Sequence, residues 1–441
     1  MQDKSFIPFT EEMKKDYTIL VPNMLPMHFK LIARILSTYG LNAELLTTTG
    51  PQIAETGLKY THNDTCYPAV VVIGQFIDAL QSGKYDLNKT ALIMFQTGGG
   101  CRASNYISLI RKALVKAGYG HIPVISFSFS GLERHPGFKL TVPMVLKMAC
   151  AVLYGDIIMN LVNQVRPYEV EKGAAERLAD EWIERLGREL GVGGRLRYGD
   201  VKRNYERIAA DFAAIEVAKR DAVKVGIVGE IFVKYSPLAN NELERFLISE
   251  GAEPVVPGLF DFILYYVYNE IMEYKLYRRR WVRSTACRLL YPILCRMKDR
   301  MSQTIESHGF AALTPFSDVV DMAGSVISHA VKMGEGWLLT AEMIELAHSG
   351  CSNVVCTQPF GCLPNHICGK GMMKPIKELC PNANIVAIDY DAGASRVNQE
   401  NRLKLMLANA RKQKRANVPA DAETSEDAAQ VTVSQKTIRN R

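Results

Sequence analysis

Asn353-Val354-Val355-Cys356-Thr357-Gln358-Pro359-Phe360-Gly361-Cys362-Leu363-Pro364-Asn365-His366, running on through Ile367, Cys368, Gly369 and Lys370, is the stretch whose reading decides the fold. Val354 and Val355 form a short apolar run of strand type, and a turn dense in Gly, Pro and Cys follows it. After Gly369 the apolar spacing is helical as far as Cys380. The order is strand, loop, helix, with thiols in the loop.

Related patterns occur twice near the N-terminus. Residues 91–95 read as a buried strand, Thr97-Gly98-Gly99-Gly100-Cys101 as a tight turn, and 104–117 as an amphipathic helix. Upstream, Asn63-Asp64-Thr65-Cys66-Tyr67-Pro68 precedes an apolar helix at 69–80, with Asp64 or Thr65 the expected N-cap and Pro68 suited to the first turn. In a parallel α/β sheet the loops after the strands gather at one edge, where ligands bind. Cys66, Cys101 and Cys362 are therefore expected to converge. Helix N-termini beside them favour thiolate, the form that binds metal.

The 441 residues suffice for two or three domains, and 48% apolar with 22% charged is an ordinary soluble composition. Residues 1–16 are polar and charged and show no signal-peptide pattern; the most apolar run, 140–162, contains Lys147 and Asp156 and reads as a buried helix. A cytoplasmic protein with no membrane partner is expected. A net charge of +7, spread thinly apart from Arg278-Arg279-Arg280 and the last forty residues, argues against nucleic acid as a partner.

Working outward, a βαβ opening (17–22, 27–39, 43–47) and the two cysteine units make residues 1–135 one α/β domain. Residues 136–222 read as a helical bridging segment. A second α/β domain, 223–415, opens on the run 223–233, includes a long aromatic and Arg-rich helical stretch at 260–301, and closes with strands at 354 and 384–389 and a helix at 395–412 capped by Ser395. Residues 416–441 lack apolar content and are expected to be disordered. The fold class is α/β, two Rossmann-like domains joined by helices, without a phosphate-loop fingerprint.

Ten cysteines without a secretory signal point to reduced thiols or metal ligands. Cys150, Cys287 and Cys295 lie in apolar helices, and Cys351 and Cys380 at helix-to-loop boundaries, so these read as packing residues. Cys66, Cys101 and Cys362 each occupy a loop beside Gly or Pro and form the candidate metal site, with Cys356 the alternative to Cys362. The spacings around Cys351, Cys356, Cys362 and Cys368 contain no C-x-x-C pair, so zinc fits poorly. Iron–sulfur ligation tolerates wide spacing and takes soft ligands. A nucleophilic Cys101 with His62, His121 or His366 as base is the alternative chemistry. Glu230 and Glu335 beside glycines read as cap or turn residues.

Cys66-Tyr67-Pro68, Gly98-Gly99-Gly100-Cys101-Arg102, Val228-Gly229-Glu230-Ile231, Gly334-Glu335-Gly336-Trp337 and Gln358-Pro359-Phe360-Gly361-Cys362-Leu363-Pro364-Asn365-His366 together resemble the 2-hydroxyacyl-CoA dehydratase D-component-like region of the acyl-CoA dehydratase activase-related proteins. The wider family includes benzoyl-CoA reductase subunits and double-cubane cluster proteins. The resemblance covers the chain to about residue 412. It implies an iron–sulfur cluster, [4Fe–4S] or double cubane, held by Cys66, Cys101 and Cys362 between α/β domains. It also implies low-potential electrons from an ATP-hydrolysing iron–sulfur activator, a homodimer or heterodimer, and radical dehydration or reduction of an acyl-CoA thioester. Relatives often carry activator-like ATPase domains ahead of this region, and none precedes it here, so a separate or split activator is expected. The alternatives are a double-cubane reductase or accessory electron-transfer module without a thioester substrate, and a structural zinc scaffold.

Overall fold

Runs of apolar residues that bury both faces give parallel strands. The computed structural model of the chain describes residues 6–416 except 63, 96–99, 128–132, 195 and 220. Strands β1 (Thr18–Val21), β2 (Asn42–Leu45), β3 (Thr90–Phe95) and β4 (Val124–Phe127) form a parallel sheet in the order β2-β1-β3-β4. Strands β5 (Val223–Gly229), β6 (Ala252–Val255), β7 (Asn353–Pro359) and β8 (Asn384–Tyr390) form a second, β6-β5-β7-β8. The class is mixed α/β, as expected, and the two sheets share one strand order.

That order decides where a site can form. In each sheet the second strand pairs outside the first, and the third returns to the first strand's other side. The reversal opens a crevice between the carboxyl ends of β1 and β3, and again between β5 and β7, where open α/β sheets take ligands. Cys101 follows β3 and Cys362 follows β7.

Several boundaries differ from the sequence reading, each for a local reason. The run 223–233 stops being strand at Gly229, whose φ of 140° suits only glycine and whose added Cβ would stand 2.1 Å from Thr357 Oγ1. Glu230 then caps a short helix, Ile231–Tyr235. The stretch 260–301 is two helices, Leu259–Tyr277 and Trp281–Ser307, because Arg278 and Arg280 adopt left-handed φ of 57° and 55°. Helix resumes at Leu363–Cys368, earlier than the expected start after Gly369. Much of the turn 97–101 and the tail from 417 onward lie outside the described residues.

Helices Val142–Val165, Ala174–Glu189 and Tyr198–Ala213 occupy the expected helical middle. Val142–Val165 is long and apolar enough to cross a membrane by length and composition, and is largely buried in protein. Helices Pro51–Tyr60 and Tyr67–Gln81 pack at backbone distance, since a Cβ on Gly74 would stand 1.9 Å from Ile53 O. The largest apolar cluster is continuous from Ile19 and Leu92 in the first sheet to Val225, Val355 and Ile388 in the second.

Candidate functional site

Each of the three singled-out cysteines is the N-cap of a helical start. Cys66 caps Tyr67–Gln81, so the expected Asp64 or Thr65 cap is corrected: Pro68 in the first turn sets the helix start two residues after Asp64's own turn with His62. Cys101 caps the 3-10 turn Arg102–Asn105, which leads into the helix Tyr106–Lys116. Cys362 caps Leu363–Cys368, with Pro364 in the first turn. None of the three makes a side-chain cap hydrogen bond, but the nearby amides of Ala69, Ala103 and Asn365 favour the charged form of the thiols.

The loops meet through backbone. Tyr67 N donates to Phe360 O at 3.0 Å, and a Cβ on Gly361 would stand only 3.1 Å from Cys66 Cα. Gly361 has φ 71°, so glycine serves both the turn and the close approach. On the other side, Gly100 N lies 3.3 Å from Met333 Sδ, and Gly334 packs on Pro364. The Cys66 thiol is 3.3 Å from the hydroxyl of Tyr106. Cys66 and Cys362 are buried, and Cys101 is half-buried.

Two carboxyls join them. Glu230 accepts from Val233 N at 2.9 Å, and Glu335 accepts from Ile231 N at 2.9 Å, so both are caps, as read from sequence. They are also buried neighbours. Burial and the charge of Glu335 push Glu230 up to about 8, and burial likewise raises Glu335. Burial raises all three thiols, Cys101 to about 11, and the nearby glutamates push the same way. Cys101 feels Cys66, and Cys362 feels Cys101. Tyr106, wholly buried among these groups, is raised well above its usual value by burial and then by Cys66. The opposing cations are Arg102, acting on Cys66, and Lys234, acting on the carboxyl pair.

Cys356 sits elsewhere. It is buried within β7, with Sγ 3.8 Å from Asn365 Oδ1, and burial pushes it up to about 12; the charges it feels are Glu342, Asp389 and Lys370, not the other thiols. Cys150 and Cys351 are buried and Cys287 and Cys295 half-buried, with no link to the three thiols. Among the described residues, no histidine hydrogen-bonds to Cys101: His62 turns to Asp64, and His366 Nδ1 lies 2.8 Å from Cys362 O. A thiol raised to about 11 is the reverse of an activated nucleophile. Also among the described residues, no three His, Cys, Asp or Glu side chains lie close enough to clasp one metal ion.

Sequence reasoning missed Tyr106 and the pairing of Glu230 with Glu335. Glu230 carried a usable signal, since it directly follows β5 and so borders the same crevice as Cys362. Tyr106 carried none, because only the packing of two helix starts brings its hydroxyl to Cys66. No family model matches this chain, and no curated protein does.

Proposed function

We propose that the chain is an iron–sulfur protein of the 2-hydroxyacyl-CoA dehydratase type, built as two Rossmann-like domains joined by helices, with Cys66, Cys101 and Cys362 holding a [4Fe–4S] cluster between them. One observation carries this reading: three thiols remote in sequence each cap a helical start at the sheet edges, in adjoining loops, beside two buried carboxyls. Bound iron would hold the thiols as thiolates against the burial that raises them. Three thiols that feel each other's charge suit a cluster, which seats each thiolate on its own iron. When bound, that group supplies low-potential one-electron chemistry. The chain fixes it through three thiolates, offsets their charge with the Ala69, Ala103 and Asn365 amides, and places the Tyr106 hydroxyl on Cys66.

In this reading electrons come from an ATP-hydrolysing iron–sulfur activator in the cytoplasm, and the substrate is an acyl-CoA thioester. A double cubane shared by two subunits is the second reading, favoured by the apolar rim of Met333, Phe360 and Leu363, which are 50%, 49% and 69% exposed. Anaerobically purified protein is expected to be brown and to carry iron and acid-labile sulfide. Cys101→Ala and Cys362→Ala each strip most of both, and Cys150→Ala does not. Stoichiometric zinc without iron overturns the reading. About eight irons per dimer in one magnetically coupled unit would select the double cubane. Turnover of a 2-hydroxyacyl-CoA with activator, ATP and reductant would select the dehydratase.

A further inference from the structure

Glu342 and Glu345 lie three residues apart on one face of the helix Trp337–His348, and Glu335 stands in the turn that precedes it. Glu345 feels the charge of Glu342, and Glu342 that of Glu335, so the three form a line. Its first member lies at the thiol site, where it bonds Ile231 N. Its middle member is held by Lys234, at 2.9 and 3.1 Å. Its last member is half-buried and borders a cavity of about 30 Å³, enough for a water molecule, with Asp156, Asp261, Lys298 and Thr314 also in the wall.

The surroundings are charged on every side. Lys298, from the helix Trp281–Ser307, has Nζ 2.6 Å from Asp261 Oδ1. Asp156, from Val142–Val165, lies 2.8 Å from His28 Nε2 and accepts from Leu259 N and Phe260 N. Glu230, Glu335, Glu342, Glu345, Asp261 and Asp156 thus share one interior with Lys234, Lys298 and His28. So many carboxylates cannot all be charged away from water beside so few cations, and the line must hold protons. Consistent with this, burial raises Glu342 against the pull of Lys234, and raises Glu345 to about 7 against the pull of Lys298.

We propose that Glu345, Glu342 and Glu335, with Lys298 and Lys234 beside them, are a proton conduit from the cavity to the thiol site, matching each electron delivered there with one proton from water. The inference rests on the iron–sulfur reading above. A low-potential one-electron donor supplies the electron. The proton enters at Glu345, exchanges through Glu342 and Lys234, and comes to rest at Glu335. Only O–H and N–H bonds form and break, and the charge of the interior is unchanged. The residues act by carrying protons and are not catalytic residues themselves.

The test uses the full chain loaded with iron anaerobically, reduced by titanium(III) in weak buffer with a pH-indicator dye. Wild type takes up one proton per electron, and its midpoint potential falls by about 59 mV for each tenfold drop in proton concentration, the shift of a one-electron equilibrium. Glu345→Gln, at the half-buried end, slows proton uptake at least tenfold with unchanged iron. Glu244→Gln, a carboxyl paired with Arg166 outside the line, leaves the rate as in wild type. Glu342→Gln strands Lys234 in the interior and threatens folding, so Glu345→Gln is the deciding variant. Wild-type uptake in Glu345→Gln, or a potential that is flat with pH in protein that loads iron, overturns the conduit alone. Protein that binds no iron overturns the iron–sulfur reading and the conduit with it.

Discussion

The sheet β2-β1-β3-β4 and the sheet β6-β5-β7-β8 place a cysteine at the same topological point, after the third strand, and surround it with opposite electrostatics. The first unit adds a second thiol, Cys66, and balances its internal acid: Glu133 lies between Arg111, at 2.7 Å, and His135, at 3.6 Å. The second unit puts acids in excess, with Glu230, Glu335, Glu342 and Glu345 around a single lysine pair. Strand order fixes where the crevice opens, whereas the charge of its lining is set by which side chains the connections carry. The β6-to-β7 connection is long and helical and supplies Glu335, Glu342 and Glu345. The β2-to-β3 connection is also helical but about half as long, and it supplies Cys66.

The most severe test of this contrast is Lys234→Met. It leaves Glu342 buried without its partner, and loss of one member of a buried pair costs about 3–5 kcal/mol. Denaturant melts of protein without added iron should show the loss.

The pH dependence of the two units should have opposite sign. Burial alone would raise Glu133, yet hydrogen bonds with His135 and Arg111 hold it down to about 2 from the usual 4.5. Its contribution, on the order of 3 kcal/mol, is present above 4.5 and is lost as pH falls through the depressed value. Glu345 and Glu230, raised to about 7 and about 8, behave the other way: their protonated forms are retained on folding, so stability is full below 4.5 and falls as pH rises through 7 and 8. Melts of Glu133→Gln below pH 4.5 and of Glu345→Gln between pH 4.5 and about 7, each against wild type, read the two signs separately. Slopes of equal sign in the two pH windows would break the comparison.

Gly361→Ala probes the seam between the units. It places a side chain at φ 71° and 3.1 Å from Cys66 Cα, a strain of roughly 1–3 kcal/mol. Under the proposed iron–sulfur reading, iron retention should fall more than melting temperature does, because Cys66 and Cys362 are pushed apart first. Cys356→Ala should have the smallest effect, about 1 kcal/mol in a melt, with iron content as in wild type. Loss of iron in that variant would return Cys356 to the ligand set in place of Cys362.

Much of the fold was legible because its signals are local. Val354-Val355, 91–95 and 384–389 are apolar runs too short for helices, bounded by Gly or Pro, and each is a strand. Ser395 was read as a helix cap, and Asn398 N indeed lies 3.4 Å from its Oγ. The misreadings fall where a backbone choice depends on distant atoms. Gly229 ends β5 because Thr357 crowds it, and Arg278 and Arg280 turn left-handed at the end of a hairpin of long helices.

The sequence by itself determined the strand and helix alternation, the position of Cys66, Cys101 and Cys362 in loops, and the glycines and prolines that start the helices. These follow from short-range sterics and the periodicity of apolar residues. Only the tertiary structure decided that the three loops adjoin, that Tyr106 reaches Cys66, and that Glu335 at the thiols continues inward to Glu342 and Glu345 with Lys234 and Lys298 beside them. Those outcomes depend on how two sheets of equal strand order pack through one continuous apolar core. Packing joins residues that are hundreds of positions apart, and no local propensity encodes which of them meet.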